Sequence, residues 1–153
     1  MSQKPYKLKW RGNEVIALTE KQIMVIMSDM AFIVEAESKK ELKKGHGVKT
    51  GTLRRSIHAA SPGYDFSKDN TEPGPGTPEL GNKKVKPERI GNKFKIFVGS
   101  GLSYAMAIHQ GWNWQKNGLI GVFEGYHYLV NGLDKAKPKF DLIVARRQVR
   151  KAK

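Results

Sequence analysis

The clearest periodic pattern in the chain begins at Thr19. Thr19 and Gln22 are spaced as in a capping box, with a hydroxyl at the cap and an amide three residues later. Apolar residues then recur at helical spacing from Ile23 to Val34, and the stripe fades into a lysine-rich stretch before Gly45. A glycine after basic residues is a typical helix end. The pattern predicts a long amphipathic helix, and we interpret its methionine-containing stripe as core rather than as a partner groove.

A strict alternation of apolar and basic residues precedes this helix. Tyr6, Leu8 and Trp10 alternate with lysine and arginine, as in a strand with one buried face. Gly and Asn at 12–13 are typical of a turn, and the apolar residues at 15–17 are consistent with a second strand that pairs with the first. The sequence predicts either a hairpin or a single edge strand here.

The stretch after the long helix is unusually constrained for a surface connection. A threonine and a glycine at 50–51 offer a hydroxyl cap and a permissive backbone. Leu53 and Ile57 are four residues apart, so one helical turn places both on a single face. The pattern predicts a short helical turn with two buried anchors that leads into a strand near Ile57. Arg54 and Arg55 would then be exposed; an ordinary helix-to-strand connection is the alternative.

The middle of the chain alternates between loop and regular patterns. Proline and glycine recur throughout residues 61–92, and this composition predicts a long flexible loop. Residues 93–98 predict a strand because its aromatic and aliphatic residues fall on one face and its lysines on the other. Ser103 is then placed to cap a short helix over 104–110, which Gly111 closes.

The last third of the chain contains an aromatic-rich segment and a second helical pattern. Residues 112–132 hold Trp112 and Trp114 among several tyrosines and glycines, and predict a loop that serves as a contact surface. Residues 119–123 fit a short strand or a hairpin arm. Pro138 is well placed in the first turn of a final helix. Together these patterns predict a single α+β domain over 1–153, with a small antiparallel sheet packed by a long N-terminal, a short middle and a C-terminal helix.

Composition changes this picture mainly through charge. Twenty-eight Lys and Arg face fourteen Asp and Glu, a formal net charge of +14. Such a charge indicates nucleic acid, an acidic protein or a membrane surface as a partner class. However, no apolar run approaches the roughly 18 residues of a spanning helix, so we expect no membrane partner. The chain has no cysteine, which excludes disulfides and thiolate metal sites.

The candidate chemistry is sparse. The four histidines have no second histidine or carboxylate at a helical ligand spacing, and neither a phosphate-binding loop nor a nucleophile elbow is present. We therefore expect no enzyme activity and no cofactor. The candidate basic patch comprises Lys83, Lys84, Lys86, Arg89, Arg146, Arg147 and Arg150. Basic residues near aromatic ones are common in nucleic-acid-binding modules, and that remains the alternative function.

Several short motifs resemble those of one family when they are taken in order. They are a Thr-Gly-x-Leu-x-x-Ser-Ile segment at 50–57, a strand ending in Val98-Gly99, a Tyr104-Ala105 segment running to Gly111, and a Pro138 to Phe140 step opening the last helix. In this order they resemble the minor tail, or tail-completion, proteins of long-tailed double-stranded DNA bacteriophages. Those proteins lie at the neck, where the tail joins the head.

The resemblance implies a structural virion protein without enzymatic activity. It implies assembly as a homo-oligomeric ring, expected to be a hexamer, around the passage for DNA. It also implies contact with the phage connector and with tail-tube or tail-terminator proteins. The candidate assembly contacts are Arg54, Arg55, Gln110, Trp112 and Trp114. Gln110 stands where the family commonly has glutamate, which puts an inter-subunit ion pair there in doubt.

Overall fold

A computed structural model describes residues 12–45, 47–48, 51–70 and 85–149. The helices are α1 (Gly12–Glu41), α2 (Thr52–Ser56), α3 (Ala105–Gln110), α4 (Tyr128–Ala136) and α5 (Phe140–Val149), with 3-10 turns at Phe66–Lys68 and Lys137–Lys139. The strands are β1 (Lys43–Lys44), β2 (Gly47–Val48), β3 (His58–Ala60), β4 (Glu88–Ile90), β5 (Lys93–Lys95), β6 (Phe97–Gly99), β7 (Trp112–Lys116) and β8 (Leu119–Phe123). The fold class is α+β, as the sequence predicts.

The strands form two-stranded ladders. β3 pairs with β6 in antiparallel register, with Ala59 opposite Val98. β4 pairs with β5, and β7 pairs with β8, both antiparallel, whereas β1 and β2 are parallel. The predicted strand over 93–98 is divided at Ile96, because its first half pairs with β4 and its second half with β3.

Helix α1 begins earlier than the capping-box pattern predicts. Its first residue is Gly12, so the returning strand predicted at 15–17 is wrong, and Thr19 lies inside the helix. Ile16 precedes Ile23 by seven residues and thus continues the same helical stripe, which explains why a helix takes up these residues. The helix ends at Glu41, and Gly45 lies in the turn between β1 and β2 with φ of +80°. The alternating segment that contains Tyr6, Leu8 and Trp10 lies outside the described residues.

Helix α1 is the central element against which other elements pack. It packs most extensively against α4, where Gly132 faces Ser38. A Cβ at Gly132 would lie 2.6 Å from the Ser38 backbone nitrogen and 2.7 Å from its Cα. The Glu35 carboxylate accepts a hydrogen bond of 2.8 Å from the backbone nitrogen of Ala59, which fastens β3 to the same helix.

The hydrophobic core lies where α2, α3 and α4 meet the end of α1. Its buried members are Leu42, Leu53, Ile57, Leu102, Ala105 and Tyr128. The prediction that Leu53 and Ile57 are buried anchors is confirmed. The Tyr128 hydroxyl donates to the Ala105 carbonyl oxygen at 3.3 Å, which joins α4 to α3.

Two predicted loops contain regular structure. Residues 112–132 form the β7–β8 hairpin and the first half of α4, so the prediction of a loop is wrong there, whereas the short strand or hairpin arm predicted at 119–123 is confirmed as β8. Helix α4 follows His127, whose left-handed backbone (φ 47°) is uncommon for a residue other than glycine and hides the boundary from sequence patterns. In the predicted loop 61–92, a 3-10 turn and strand β4 are present, and residues 71–84 lie outside the described ranges.

Some helix ends lie where the sequence predicts them, and others differ by one or two residues. The N-cap of α3 is Tyr104 rather than Ser103, and no side chain caps it, whereas Gly111 ends the helix as predicted. Pro138 lies in the 3-10 turn that separates α4 from α5, so the final helix begins two residues later, at Phe140. Within the described part of the chain, no helix is both long and apolar enough to cross a bilayer.

We expect Gly132→Ala to destabilise the protein, although alanine normally favours a helix over glycine by about 1 kcal/mol. The added methyl group meets the backbone of Ser38, so α4 must move away from α1, at a cost of roughly 1–3 kcal/mol. Urea unfolding followed by circular dichroism measures the change. Gly63→Ala is the matched control, because a Cβ at Gly63 meets no atom within 4 Å. A Gly132→Ala variant as stable as the control would contradict the close approach.

Candidate assembly surface

Helix α2 presents the two predicted contact arginines differently. Arg54 is exposed, whereas Arg55 is partly buried and its guanidinium lies 3.5 Å from the Thr52 hydroxyl. A Cβ at Gly51 would lie 2.8 Å from Nη1 of Arg55, so the side chain folds back over the start of the helix. The structure therefore presents Arg54 outward and uses Arg55 partly within its own helix.

The position of α2 is fixed by hydrogen bonds on its buried side. The Ser56 hydroxyl lies 2.9 Å from the Leu53 carbonyl oxygen, to which it donates, and 2.6 Å from the Ser100 hydroxyl. Ser100 follows directly after β6, so this contact joins two segments that are 44 residues apart in the chain. Arg54 thus lies on a short helix whose buried side is fixed by these hydrogen bonds.

A buried histidine next to α2 was missed by the sequence analysis. His58 Nε2 lies 3.7 Å from Asp69 Oδ2, and both side chains are fully buried. Its Nδ1 lies 2.9 Å from the Ser56 carbonyl oxygen. The Tyr64 hydroxyl donates to the other oxygen of Asp69, and the rings of Tyr64 and Phe66 pack on the imidazole.

This cluster holds residues 61–70 against β3. Because neither His58 nor the Asp69 carboxylate reaches solvent, the pair is placed to order the chain rather than to meet a substrate. No motif contains His58, and a strand with one buried face that includes Ile57 would place His58 on its other face, so no sequence pattern indicated that His58 is buried. Among the described residues, no group of three or more potential ligands could hold a metal ion.

The β7–β8 hairpin carries the predicted tryptophans on one face. Trp112 lies opposite Phe123, with ring centroids 4.6 Å apart, and Trp114 lies over Gly121. Trp112 and Trp114 remain 44% and 46% exposed. Gln110 is exposed at the end of α3, two residues before Trp112. The structure therefore places Gln110, Trp112 and Trp114 along one continuous segment, while Arg54 lies on another element.

The second strand of this hairpin is the most exposed apolar part of the described chain. Leu119, Ile120 and Val122 are 69%, 74% and 66% exposed. The turn between the strands has positive φ at both Asn117 (53°) and Gly118 (78°), as in a tight hairpin turn. The sequence analysis named the tryptophans as anchors and did not select these aliphatic residues.

An apolar groove of about 400 Å³ opens beside α1 and α4. It is lined by Met27, Met30, Ala31, Val34, Ile96, Val98, Leu129, Val130, Leu133 and Phe140. The stripe of α1 that the sequence analysis interpreted as core thus forms part of a groove wall, since Met27 and Met30 are only partly buried. The interpretation as core thus holds for Ala31, which is buried, whereas Met27 and Met30 are only partly covered.

The predicted basic patch is divided by internal ion pairs. Arg89 pairs with Glu20, and Arg147 pairs with Asp29 at 2.5 Å, so both arginines are engaged by α1. Lys86 and Arg146 are exposed. The remaining members, Lys83, Lys84 and Arg150, lie outside the described residues. Of the four members within the described ranges, two are therefore engaged in ion pairs with α1 and two are exposed.

Three groups on α1, α3 and α4 have shifted pKa values. Hydrogen bonds from Lys139, and then from Lys40, lower the pKa of Glu37. Burial, and then the nearby His127, lower the pKa of His109, whose ring lies 5.7 Å from that of His127. Burial also raises the pKa of Tyr128 to about 12, so this core hydroxyl stays protonated as a donor.

Comparison with known proteins adds no relative. No family model matches the sequence, and no curated protein or solved structure matches it.

We expect Lys139→Met to destabilise the protein by about 1 kcal/mol at neutral pH, because it removes a tertiary ion pair of 2.6 Å with Glu37. Since the folded protein has the lower Glu37 pKa, this stability is present above about pH 4.5 and is lost as the pH falls through the folded pKa. The difference from wild type in urea unfolding should therefore shrink in acid. Lys137→Met is the control, because Lys137 pairs with Asp134 at the surface. Equal losses in both variants would argue against a special role for Glu37.

We expect protonation of His109 to lower the free energy of unfolding as the pH falls slightly below neutral. Its pKa is lower in the folded protein than the usual value of about 6.5, so below that pH the unfolded chain binds more protons. The free energy of unfolding should fall between pH 7 and pH 5, and His109→Gln should flatten this dependence. His127→Gln should flatten it less, because burial is the larger cause. An unchanged slope in His109→Gln would show that other groups control this range.

Proposed function

We propose that this protein is a structural, non-enzymatic component of a bacteriophage neck. In this proposal it is a tail-completion or head–tail joining protein that assembles as a homo-oligomeric ring, expected to be hexameric, at the head-proximal end of the tail. Its partners are the phage connector and tail-tube or tail-terminator proteins, and its location is the virion. Contact with DNA passing through the ring is non-specific.

One structural observation supports this proposal most directly. Three of the four family-like motifs are far apart in sequence but meet in one core. The 50–57 segment contributes Leu53 and Ile57, and Ser56 contacts Ser100 just after the Val98-Gly99 pair. Ala105, from the next motif, is buried in the same cluster. Segments that resemble the family in order and spacing thus also form one structural unit, as expected if the resemblance reflects a shared fold.

The surface supports assembly rather than an isolated existence. Large apolar side chains are exposed on α3 and along the β7–β8 hairpin, with Met106 at 63% and Ile120 at 74%. Contiguous exposed apolar surface of this kind marks contact sites in soluble proteins. Arg54, held outward on the anchored α2, would contact an adjacent subunit or the connector.

The net charge of +14 keeps a nucleic-acid-binding module as the second candidate. That function requires a continuous basic surface, whereas Arg89 and Arg147 are paired with acidic residues of α1. The two candidates differ in salt dependence. A DNA-binding module should bind tightly at low salt and lose affinity steeply as salt rises, and a neck protein should show only weak contact.

Sedimentation velocity at several concentrations, alone and with the connector, tests the proposal. We expect concentration-dependent assembly to a closed ring, and we expect Arg54→Glu to weaken assembly or connector binding by roughly tenfold. Lys95→Glu is the charge-matched control, since Lys95 is an exposed residue of β5. A protein that stays monomeric and binds neither connector nor tail tube would refute the proposal. Tight, salt-sensitive DNA binding by such a monomer would favour the alternative.

A further inference from the structure

We propose that β8 is a self-complementary edge strand through which two copies of this chain pair, antiparallel and about a two-fold axis at Gly121. A two-fold contact closes after two copies, whereas a ring needs head-to-tail contacts. The inference therefore goes beyond the proposed neck function and does not depend on it.

The outer edge of β8 is open in the described part of the chain, where β8 pairs with β7 alone. Edge strands offer unpaired backbone groups to another strand, and proteins commonly protect them with charged side chains. The β4–β5 hairpin has such protection on both strands, and β7 ends at Lys116. Strand β8 contains no charged residue, and its Leu119, Ile120 and Val122 are 66–74% exposed. An uncharged apolar edge on a chain of net charge +14 suits another apolar strand rather than an acidic partner.

The hairpin geometry determines which backbone groups of β8 face outward. Only Asn117 and Gly118 join the two strands, so Lys116 and Leu119, beside the turn, form a hydrogen-bonded pair. Hydrogen-bonded and non-hydrogen-bonded pairs alternate along an antiparallel ladder. The N–H and C=O groups of Ile120 therefore point away from β7, as do those of the residue two positions later, Val122.

The sequence of β8 argues that the strand covering this edge is a second copy of β8. Placed antiparallel with Gly121 opposite Gly121, the strand sets Ile120 opposite Val122 and Leu119 opposite Phe123 of the other copy. This register pairs every residue of β8, and it matches the outward groups because Ile120 and Val122 form the hydrogen-bonded pairs. Apolar side chains then lie opposite one another on both faces of the sheet, and no like charges do.

The glycine at the axis is covered by an aromatic ring of the same hairpin. A Cβ at Gly121 would lie 2.1 Å from the Trp114 indole, so the ring lies over the glycine. An aromatic side chain over an edge glycine compensates for the missing side chain. In the pair, each copy brings one indole to the same face of the sheet beside the axis. Trp114, which is 46% exposed in the single chain, is thereby covered further.

The contact is small, which sets the conditions for its test. One short strand from each copy buries less than the roughly 1,200 Å² of a standard interface, so the dimer is weak and reversible. Copies that each carry +14 repel one another, and added salt screens that repulsion without weakening apolar burial. Pairing through β8 should therefore strengthen in high salt, whereas binding to an acidic partner should weaken.

Sedimentation equilibrium of the full chain in high salt, between about 10 µM and 1 mM protein, measures the dimer. We expect Val122→Pro to weaken dimerisation at least roughly tenfold, because proline removes an outward N–H from the β8 edge of each copy. Asn113→Pro is the matched control. Asn113 lies directly opposite Val122 in the ladder, and its N–H points out of the β7 edge instead. The control should dimerise like wild type, and circular dichroism checks that both variants fold.

Amide hydrogen exchange measured by NMR gives a second readout that needs no substitution. As the wild-type protein is concentrated over the same range, exchange of the Ile120 and Val122 amides should slow severalfold. The amides of Asn113 and Gln115, on the β7 edge, should exchange at an unchanged rate.

The outcomes separate this inference from the proposed neck function. A wild-type chain that stays monomeric at about 1 mM in high salt refutes the β8 pairing, as does equal dimerisation of both proline variants. Slowed exchange along both edges indicates head-to-tail pairing of β7 with β8 and also refutes the two-fold contact. A dimer with the expected exchange pattern supports the inference even if the chain forms no ring and binds no connector. Ring formation without β8 protection keeps the neck function and overturns this contact.

Discussion

The rest of the structure depends on the close approach of α4 to α1. Gly132 faces Ser38 so closely that even a methyl group would meet backbone atoms. This distance lets Lys135 reach Glu41 at 2.5 Å and Lys139 reach Glu37 at 2.6 Å. The same approach brings Tyr128 into the core, where its hydroxyl meets α3. Without a glycine at this crossing, the helices would separate and both ion pairs and the core would loosen together.

Helix α1 also determines how the charge of the protein is distributed. Its acidic side chains bind basic groups from elsewhere in the chain, as Glu20 does with Arg89 and Asp29 with Arg147. In a chain with a net charge of +14, these ion pairs hold segments that are distant in sequence against α1.

The proposed neck function connects these features. The anchored turn around Leu53 and Ile57 presents Arg54 at the surface, and the hairpin that follows α3 presents tryptophan and aliphatic side chains. Beside the anchored turn, the buried His58 and Asp69 side chains hold residues 61–70 in place. A rigid core with two projecting contact elements suits a protein whose work is to join copies of itself to larger partners.

The sequence alone determined the α+β class, the long amphipathic helix, the buried anchors Leu53 and Ile57, and the end of α3 at Gly111, because each depends on local periodicity or on one permissive residue. Tertiary structure decided the rest. Helix α4 was hidden because it starts at a left-handed His127 and its central Gly132 disfavours a helix locally, yet packing against Ser38 requires that glycine. The strand predicted over 93–98 was divided because its first half pairs with the neighbouring β4 and its second half with β3, which lies far away in the chain. The exposure of Leu119, Ile120 and Val122 could not be predicted either, because these residues have the pattern of a core strand, whereas among the described residues they remain 66–74% exposed.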